Sequence, residues 1–495
     1  MSLTRRTLLF GSGAALGGFA TRWIGGRNPA LTGAGASLPP TGDLILNDAS
    51  LLSPTRVSAH LRSSGTARVA LVADLRTQLA QAQASGLPLA PGAARHSMGG
   101  QALPPEGGLA LSLDGQAFEL DTAAMTCRVP AGMTWAALIA ALDPLGFSPK
   151  VMQSNNDFGI AATFSVNAHG WPVPHGPMGA TVREISLLLP SGDLVTCSRQ
   201  ENPELFALAM GGYGLIGLIV DLVIEVMPNR RLTPEFTLLP AKDFAGAMLK
   251  AVNDPAVPML YGRLDITRRS FFEESLLIAY RESADQSDLP AAPGSGWVSR
   301  RARDIFRAQL GSDPIKQARW WLETDLAPLI ASSATRNALL NEPVVTLDDR
   351  DDGRTDILHE YFLPPAQFAE FIALCQRVIP GSYQELLNVT LRYVRADDTS
   401  VLAFAPKVER ICAVMLFSQE MTKRAEADMA RMTQALIDGT LALGGSYYLP
   451  YRPHARAEQF LAAYPRAPEF ASAKRKLDPG LVLRNQFWDN YLAKL

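Results

Sequence analysis

Three glycine-rich turns, each bordered by short apolar segments, constrain this chain more than any other feature of its sequence. They are Pro91 to Gln101, Asp157 to Gly170 and Gly211 to Gly214. Glycine has no side chain, so the backbone can approach a ligand closely, and N–H groups in such turns bind anions. The turns therefore predict a site for an anionic ligand of nucleotide size, and their spacing alone does not identify it.

Length and charge narrow the class of protein. A chain of 495 residues exceeds the roughly 100–200 residues of an ordinary domain, so we expect two domains. Its 46 basic and 48 acidic side chains give a net charge of -2, which does not favour binding to nucleic acid or to an anionic membrane. A small-molecule partner is the better expectation.

Metal and disulfide sites are not indicated by the sequence. The four cysteines lie far apart and form no Cys-x-x-Cys pair. His169 and His175 are separated by a proline turn and lack a third ligand at suitable spacing. The sequence therefore predicts neither a disulfide framework nor a metal site.

The N-terminus has the pattern of an export signal. Arg5 and Arg6 precede a short stretch rich in glycine, alanine and leucine, and Ala34 to Ala36 offers a cleavage site. The pattern resembles a twin-arginine signal, so residues 1–36 are predicted to be a signal peptide and linker of a periplasmic protein. The stretch is too short for stable membrane insertion, because a spanning helix needs about 20 apolar residues. The alternative is a cytoplasmic protein with a basic N-terminal extension.

The chain changes character near Arg230. Before that point short strands and helices alternate with glycine turns, and Thr134 is suited to cap a helix from Trp135 to Leu142. After it come longer amphipathic segments, such as a strand from Leu386 to Val394 and a helix from Lys423 to Leu443. A domain boundary is therefore predicted near Arg230.

Three stretches together resemble a known family of flavoproteins. They are Pro91 to Gln101, Gly159 to Gly170, and the run from Gly192 through Glu201 to Gly214. They are similar to the vanillyl-alcohol-oxidase type of FAD-linked oxidases, also called the p-cresol-methylhydroxylase (PCMH) type. The segment Gly444 to Tyr491 resembles the tail of sugar-lactone and alditol oxidases.

The resemblance implies an α+β fold in two domains. A PCMH-type FAD-binding domain with two subdomains would comprise residues 51–229. A substrate (cap) domain, with an antiparallel sheet flanked by helices, would comprise residues 230–443, and residues 444–495 would return to the FAD domain. The substrate would then lie between the domains, against the flavin.

The same resemblance implies FAD as the cofactor and identifies residues that would bind it. The loop from Gly92 to Ser97 would wrap the pyrophosphate, and Arg95 stands where the family frequently has glycine. His96 would bond covalently to the flavin 8α-methyl group, the alternative being a loop histidine that only hydrogen-bonds the backbone. The cofactor-binding residues implied in this way are Gly92, Ala93, Ala94, Arg95, His96, Ser97, Gln101, Gly159, Ile160, Thr163, Ser165, Asn167, His169, Gly170, Gly214, Ile219 and Asn485.

A polar strand face supplies the candidate catalytic residues. Oxidation of an alcohol carbon needs help in removing the hydroxyl proton and positive charge near the flavin. Arg392 is the candidate for that charge, because related sugar and polyol oxidases place an acidic residue and an arginine two positions apart on a strand. Thr390 replaces the acid, and Asn388 shares the same polar face. The base is not identified. Tyr393, Tyr448 and Tyr451 are candidate hydroxyl partners, the alternative being that they are packing residues.

These features predict an FAD-dependent oxidoreductase that oxidises a CH–OH group of a small sugar, aldonolactone, polyol or related alcohol. Hydride would pass to flavin N5, and the electrons to oxygen or another acceptor. Two alternatives stay open. The loop from Arg95 to Ala102 also resembles that of cytokinin dehydrogenases, which implies oxidation of a C–N bond, and a carboxylate base would favour that alternative. Arg95 in place of glycine also leaves room for an exported binding protein that has lost the flavin.

Overall fold

The structure is a computed structural model that describes residues 44–63, 67–292, 306–342 and 353–495. The predicted signal peptide and linker, residues 1–36, lie outside the described residues. Within the described ranges, no helix combines the length and the apolar character needed to cross a membrane. The described strands form four sheets, most of them antiparallel, with helices between them, which confirms the predicted α+β class.

A three-stranded parallel sheet leads into the first glycine-rich turn. After a ribbon of β1 (Ile45–Leu46) and β2 (Thr55–Arg56), the strands β3 (Ala59–Ser63), β4 (Leu89–Pro91) and β5 (Leu109–Leu113) pair in the order β3-β5-β4. Helix α1 (Arg68–Ser85) connects β3 to β4. It buries Leu71, Leu75 and Leu79 at helical spacing, and Gly86 ends it in the left-handed conformation. The turn therefore begins at the carboxyl end of β4.

A six-stranded antiparallel sheet carries the other two turns. Its strands are β6 (Glu119–Asp121), β7 (Thr126–Pro130), β8 (Phe147–Pro149), β9 (Val182–Leu188), β10 (Leu194–Ser198) and β11 (Leu218–Pro228), in the order β10-β9-β11-β7-β6 with β8 also on β11. Helices α2 (Trp135–Leu142), α3 (Ile160–Ser165) and α4 (Pro203–Ala209) connect them. Thr134 caps α2 as predicted, because its hydroxyl accepts a hydrogen bond from the Ala137 N–H at 3.3 Å.

An eight-stranded antiparallel sheet dominates the second half of the chain. Its strands are β12 (Arg231–Pro240), β13 (Met259–Leu264), β14 (Glu274–Glu282), β15 (Ala334–Thr335), β16 (Arg354–Leu363), β17 (Glu385–Val394), β18 (Arg410–Glu420) and β19 (Ser446–Tyr447), in the order β15-β12-β14-β13-β17-β18-β16-β19. Its helices are α5 (Phe244–Val252), α6 (Asp313–Trp321), α7 (Ala327–Ile330), α8 (Arg336–Leu340), α9 (Phe368–Val378) and α10 (Lys423–Ala442), with π-helical residues Leu322–Leu326 between α6 and α7. The strand and the helix predicted from periodicity are β17 and α10.

The C-terminal tail joins the two halves of the chain. β19 pairs with β16 at the edge of the eight-stranded sheet, and helices α11 (Ala457–Ala463), α12 (Ala467–Leu477) and α13 (Gln486–Asn490) follow. Leu483 then forms a parallel bridge with Leu89 of β4. Short 3₁₀ turns occupy Asp143–Leu145, Met178–Thr181, Ala241–Asp243, Pro365–Gln367, Ile379–Gly381 and Leu492–Lys494. The tail therefore begins on the eight-stranded sheet and ends beside the first glycine-rich turn.

The two faces of the eight-stranded sheet have different neighbours. One face packs on α5, because a Cβ at Gly262 would lie 2.2 Å from the Phe244 ring. Neighbouring residues of a strand point to opposite faces, so Tyr261 points the other way. Trp171, which follows the second glycine-rich turn, stacks on Tyr261 with ring centroids 4.7 Å apart. The second face of the sheet therefore looks toward the glycine-rich turns.

Candidate active site

The first glycine-rich turn is a tight loop in which Arg95 has an unusual conformation. At Gly92 a Cβ would lie 2.9 Å from the carbonyl oxygen of Ala102, so a larger residue would collide with backbone. Arg95 has a φ of +55°, in the left-handed region that favours glycine. Its Nη2 donates to Nε2 of His60 at 3.2 Å and to the Ser112 hydroxyl at 3.4 Å. The loop thus holds an arginine in a conformation that glycine adopts without strain.

His96 packs against the second glycine-rich turn. Its ring stacks on Phe158 with centroids 4.2 Å apart, and its Nε2 lies 3.8 Å from the Asp157 carboxylate. Burial lowers the pKa of His96 and outweighs the opposing effect of Asp157. The imidazole is therefore neutral near pH 7, which leaves one ring nitrogen with a free lone pair.

Unpaired polar atoms in this loop test whether it fits FAD. Arg95 Nε, His96 Nε2 and Ser97 Oγ are buried and have no hydrogen-bond partner in the part of the chain that the structure describes. Buried polar groups are normally hydrogen-bonded, so this concentration indicates a ligand rich in acceptors. The first two turns also touch, because a Cβ at Gly159 would lie 2.9 Å from the Cβ of Ala93. Close backbones and unpaired donors are what a pyrophosphate needs, so these residues fit FAD.

The polar side chains of the second turn are bonded within the protein. Thr163 Oγ1 donates to the carbonyl of Gly159 at 2.8 Å, and Ser165 Oγ donates to a carbonyl one turn earlier in α3 at 2.8 Å. Asn167 Nδ2 donates to the Asp397 carboxylate at 2.9 Å. These side chains therefore stabilise the shape of the turn, and the backbone is the part left to contact a ligand.

Glycines bring the three turns together. A Cβ at Gly170 would lie 1.9 Å from the carbonyl oxygen of Met152, so only glycine fits there. Gly214, with a φ of +71°, packs on Pro91, and a Cβ there would lie 2.7 Å from the proline ring. The third turn therefore touches the start of the first. The predicted residues Ile160 and Ile219 are buried in α3 and β11.

Two predicted amide side chains attach the first turn to the tail. Asn485 Nδ2 donates to the carbonyls of Gln101 at 2.8 Å and Tyr213 at 2.9 Å. Gln101 Nε2 donates to the carbonyls of Leu449 at 2.6 Å and Tyr451 at 3.0 Å. Both side chains therefore position the turn through backbone contacts.

The predicted polar face of β17 forms a hydrogen-bonded group with two arginines. Arg263 Nη1 donates to Asn388 Oδ1 at 2.9 Å and to Thr390 Oγ1 at 2.7 Å. Arg319 of α6 donates to the same Asn388 oxygen at 2.8 Å. Thr390 lies opposite Arg263 in the sheet register, on the face that looks toward the glycine-rich turns. These side chains are bonded to one another and form a polar surface on that face of the sheet.

Arg392 lies on the same face but contacts the second turn. Its Nη1 donates to the backbone carbonyl of His169 at 3.4 Å. Its Nε is buried and has no partner among the described residues. The structure thus places Arg392 next to His169, where a fixed positive charge can stabilise negative charge on a ligand.

Glu360, a buried carboxylate of β16, is absent from the residues predicted above. Its Oε2 lies 2.7 Å from Nε2 of His169, and its Oε1 accepts a hydrogen bond from the Tyr451 hydroxyl. It lies opposite Val414, which lies opposite Thr390, so it shares the face that carries the predicted residues. A glutamate in a strand that continues with apolar residues is the signal that could have identified it. We call His169, Glu360, Arg392 and Tyr451 the buried polar cluster.

The charges in the buried polar cluster keep Glu360 ionised. Burial raises the pKa of Glu360, but His169, Arg392 and the hydrogen bond from Tyr451 lower it, and the pKa lies below its usual range. Burial also lowers the pKa of His169, despite the opposing effect of Glu360. An ionised carboxylate only accepts hydrogen bonds, so Nε2 of His169 carries the hydrogen between them.

Three atoms near this cluster have the spacing of metal ligands. Nε2 of His169, a carboxylate oxygen of Glu360 and Sγ of Cys412 lie within 4.8 Å of one another. Burial raises the pKa of the Cys412 thiol well above its usual value, so without a bound ion this group carries a thiol rather than a thiolate. The charge of Arg392 beside the group also opposes a divalent cation. The hydrogen bond between His169 and Glu360 accounts for the short distance between their side chains.

Comparison with known proteins confirms FAD as the cofactor. The model of the FAD binding domain family matches residues 64–198. Cytokinin dehydrogenase 7 of Oryza sativa subsp. japonica is 33% identical over 151 residues, 29% of this chain and 29% of that protein. An alditol oxidase of a Streptomyces species is 31% identical over 154 residues, 30% of this chain and 37% of that protein. L-gulonolactone oxidase of Bos taurus is 21% identical over 387 residues, 76% of this chain and 82% of that protein.

The first two of these matches cover only 29% and 37% of the relatives' lengths. The family model covers the first two glycine-rich turns, and the third lies beyond its end. The chain carries an FAD binding domain over residues 64–198 and is similar to FAD-linked oxidases of the vanillyl-alcohol-oxidase or PCMH type.

Proposed function

We propose that the protein is an FAD-dependent oxidoreductase that oxidises a CH–OH group of a small hydroxyl-rich substrate, such as a sugar, aldonolactone or polyol. The observation that carries the proposal is the polar sheet face opposite the FAD turns. Arg263, Asn388 and Thr390 present donors and acceptors there, and Trp171 and Tyr261 add a stacked pair of rings. Small-molecule sites combine apolar walls with a few such placed polar groups.

The residues of this face have separate roles in the proposed reaction. FAD, when bound, supplies the oxidant that takes up the carbon-bound hydrogen with its electron pair. Arg392 provides positive charge close to the second turn, where negative charge develops during oxidation. Asn388 and Thr390 orient substrate hydroxyl groups through hydrogen bonds. The electrons pass on to oxygen or to another acceptor.

Anaerobic reduction of the bound flavin tests this proposal. Purified protein is mixed without oxygen with an alditol, with L-gulonolactone and with a cytokinin, and loss of the yellow colour is followed. We expect an alcohol probe to bleach the flavin and oxygen or an added dye to restore the colour. A colourless protein that releases no flavin on denaturation would overturn the proposal and support a binding protein without flavin.

Oxidation of a C–N bond is the second candidate function. Glu360 is a buried carboxylate on the substrate face, and cytokinin dehydrogenases are among the relatives. A carboxylate can accept a proton from an amine as well as from an alcohol. Bleaching by the cytokinin, and by neither alcohol probe, would favour this candidate over the first.

We also propose that His96 is bonded covalently to the flavin. Support comes from its neutral imidazole and its place in the FAD loop. Acid precipitation separates the two cases, because a covalent flavin stays with the pellet. The wild-type pellet should be yellow and that of His96→Ala colourless. A colourless wild-type pellet, or a yellow pellet from the variant, contradicts the bond.

Export by the twin-arginine route is a further part of the proposal. Its support is the Arg5-Arg6 pair ahead of a short apolar stretch. Fractionation of cells that express the full chain should recover the protein in the periplasm. Replacement of both arginines by lysine should retain it in the cytoplasm, and equal export of that variant would contradict the route.

A further inference from the structure

Tyr451 and Glu360 form a phenol–carboxylate pair where the FAD loop, the tail and the cap sheet meet. We propose that Tyr451 is the catalytic residue that accepts the hydroxyl proton of the substrate, and that Glu360 is the positioning residue that takes up the phenol's own proton. The inference rests on the proposed function, because it identifies the base of that reaction.

The position of Tyr451 is fixed relative to the FAD loop. Gln101 donates to two backbone carbonyls in the segment 449–451, at 2.6 and 3.0 Å. The backbone N–H of Met98 donates to a third carbonyl of that segment at 2.7 Å. The backbone of Tyr451 is therefore anchored to the predicted FAD loop, as the backbone of a base acting beside the flavin must be.

Tyr451 is the more exposed residue of the pair. It is half-buried, whereas Glu360 and His169 are only 5% and 3% exposed. The neighbouring Tyr448 cannot take its place, because that hydroxyl donates to the carbonyl of Val166 at 2.8 Å and is buried. A carboxylate sealed behind a phenol can exchange protons with substrate only through the phenol.

The proton transfer balances in both atoms and charge. The substrate O–H bond breaks and its proton passes to the Tyr451 oxygen, while the phenolic proton passes to Oε1 of Glu360. The electron pair of the C–H bond leaves with its hydrogen to the flavin oxidant, so the substrate becomes a carbonyl compound. His169 holds Oε2 of Glu360 through its Nε2–H at 2.7 Å throughout.

The surroundings of Glu360 suit this role. The groups that face it are His169 from the second turn, Arg392 from β17, Cys412 from β18, and Tyr448 and Tyr451 from the tail, and Tyr213 and Tyr464 also interact with its charge. His169 and Arg392 lower the pKa of Glu360, so the carboxylate is ionised and able to accept a proton. Flavin reduction should therefore slow in acid, where Glu360 becomes protonated before the substrate arrives.

Two variants test the pair on the purified holoenzyme. Tyr451→Phe and Glu360→Gln should each lower the rate of anaerobic flavin reduction by the best probe by on the order of 100-fold, the usual contribution of a general base. Flavin content should stay at the wild-type level. Glu360→Gln should also lose the acidic limb of the pH profile. Glu360→Asp should regain part of the reduction rate and part of the acidic limb.

The sheet offers a matched control pair. The Tyr393 hydroxyl donates to the Glu409 carboxylate at 2.6 Å, so Glu409→Gln removes a similar phenol–carboxylate bond away from the cluster. That variant should reduce its flavin at the wild-type rate and with the wild-type pH profile. A loss as large as that of Glu360→Gln would mean that the effect comes from general loosening of the sheet.

The outcomes separate the two proposals. If no alcohol or amine probe reduces the wild-type flavin, the proposed function fails and the inference with it. If the wild type is reduced and Tyr451→Phe keeps its rate and pH profile, the inference alone is overturned. If Glu360→Gln loses flavin, the test rests on Tyr451→Phe. The solvent isotope effect on anaerobic flavin reduction is then compared between the wild type and Tyr451→Phe, and removal of the phenol should lower that effect toward unity.

Discussion

Arg95 holds a backbone conformation that costs free energy for any residue with a Cβ. Its φ of +55° is natural for glycine, and contacts of its guanidinium with His60 and Ser112 offset part of the strain. Arg95→Ala keeps the backbone strain and loses the guanidinium contacts, whereas Arg95→Gly relieves the strain and also loses the contacts. We expect the glycine variant to be more stable than the alanine variant by about 1 kcal/mol. Urea unfolding of the two holoproteins measures this, and an equal or lower stability of the glycine variant would contradict it.

At the residue scale, local motifs were predictable and distant partners were not. The loop of His96 and the strand position of Arg392 are visible because their signals lie within a few neighbouring residues. Glu360 meets Tyr451 from 91 positions away and His169 from 191 positions away. No spacing in one sequence connects such residues, so the carboxylate became visible only in the folded sheet.

At the scale of elements, close backbone packing makes the second glycine-rich turn intolerant of side chains. A Cβ at Gly170 would lie 1.9 Å from the Met152 carbonyl oxygen, which is backbone and cannot rotate away. Gly170→Ala should therefore displace the turn, lower the flavin content several-fold and destabilise the fold by about 2 kcal/mol or more. Flavin absorbance per protein and urea unfolding measure the two effects.

Gly246 in α5 is the matched control for that substitution. A Cβ there meets no atom within 4 Å, and the residue is inside a helix. Gly246→Ala should keep the flavin and stabilise the protein by about 0.5 to 1 kcal/mol, because alanine is the better helix former. Full flavin content in Gly170→Ala would show that the second turn tolerates movement.

Periodic elements were predictable, and their pairing was not. Helices α2 and α10 and strand β17 follow from capping and alternation in the sequence. The order of the eight-stranded sheet joins β13 to β17 and β16 to β19, which are far apart in the chain. Such pairings are decided by packing between the sheet faces, so the sequence alone could not predict which residues lie beside Arg263 on the polar face.

For the whole molecule, the point near Arg230 where the sequence changes character lies between β11 and β12, and the tail has a second role. Its β19 extends the cap sheet, whereas its last residues bind the first turn through Asn485. Residues 449–454 also connect to α10, where His454 lies 2.8 Å from Glu426. The tail therefore ties the first glycine-rich turn to the eight-stranded sheet, a long-range role that its composition did not indicate.

The same junction makes global stability depend on pH through His359 of β16. Its Nδ1 lies 3.1 Å from the Tyr361 hydroxyl and its Nε2 lies 3.1 Å from the Thr433 hydroxyl. Burial, helped by the charge of His454, lowers the pKa of His359 from 6.5 to about 3. Between these values the unfolded chain binds a proton that the folded protein does not, so acidification favours unfolding.

His359→Gln isolates this contribution, because glutamine keeps hydrogen-bonding groups but does not titrate. The free energy of unfolding of the wild type should fall by about 2 kcal/mol more than that of the variant between pH 7 and pH 4.5, at 1.36 kcal/mol per unit of pKa difference. His359→Gln can have a lower free energy of unfolding than the wild type at pH 7 and still lose less of it on acidification. Urea unfolding at both pH values measures it, and parallel curves would mean that His359 accepts a proton in the folded protein.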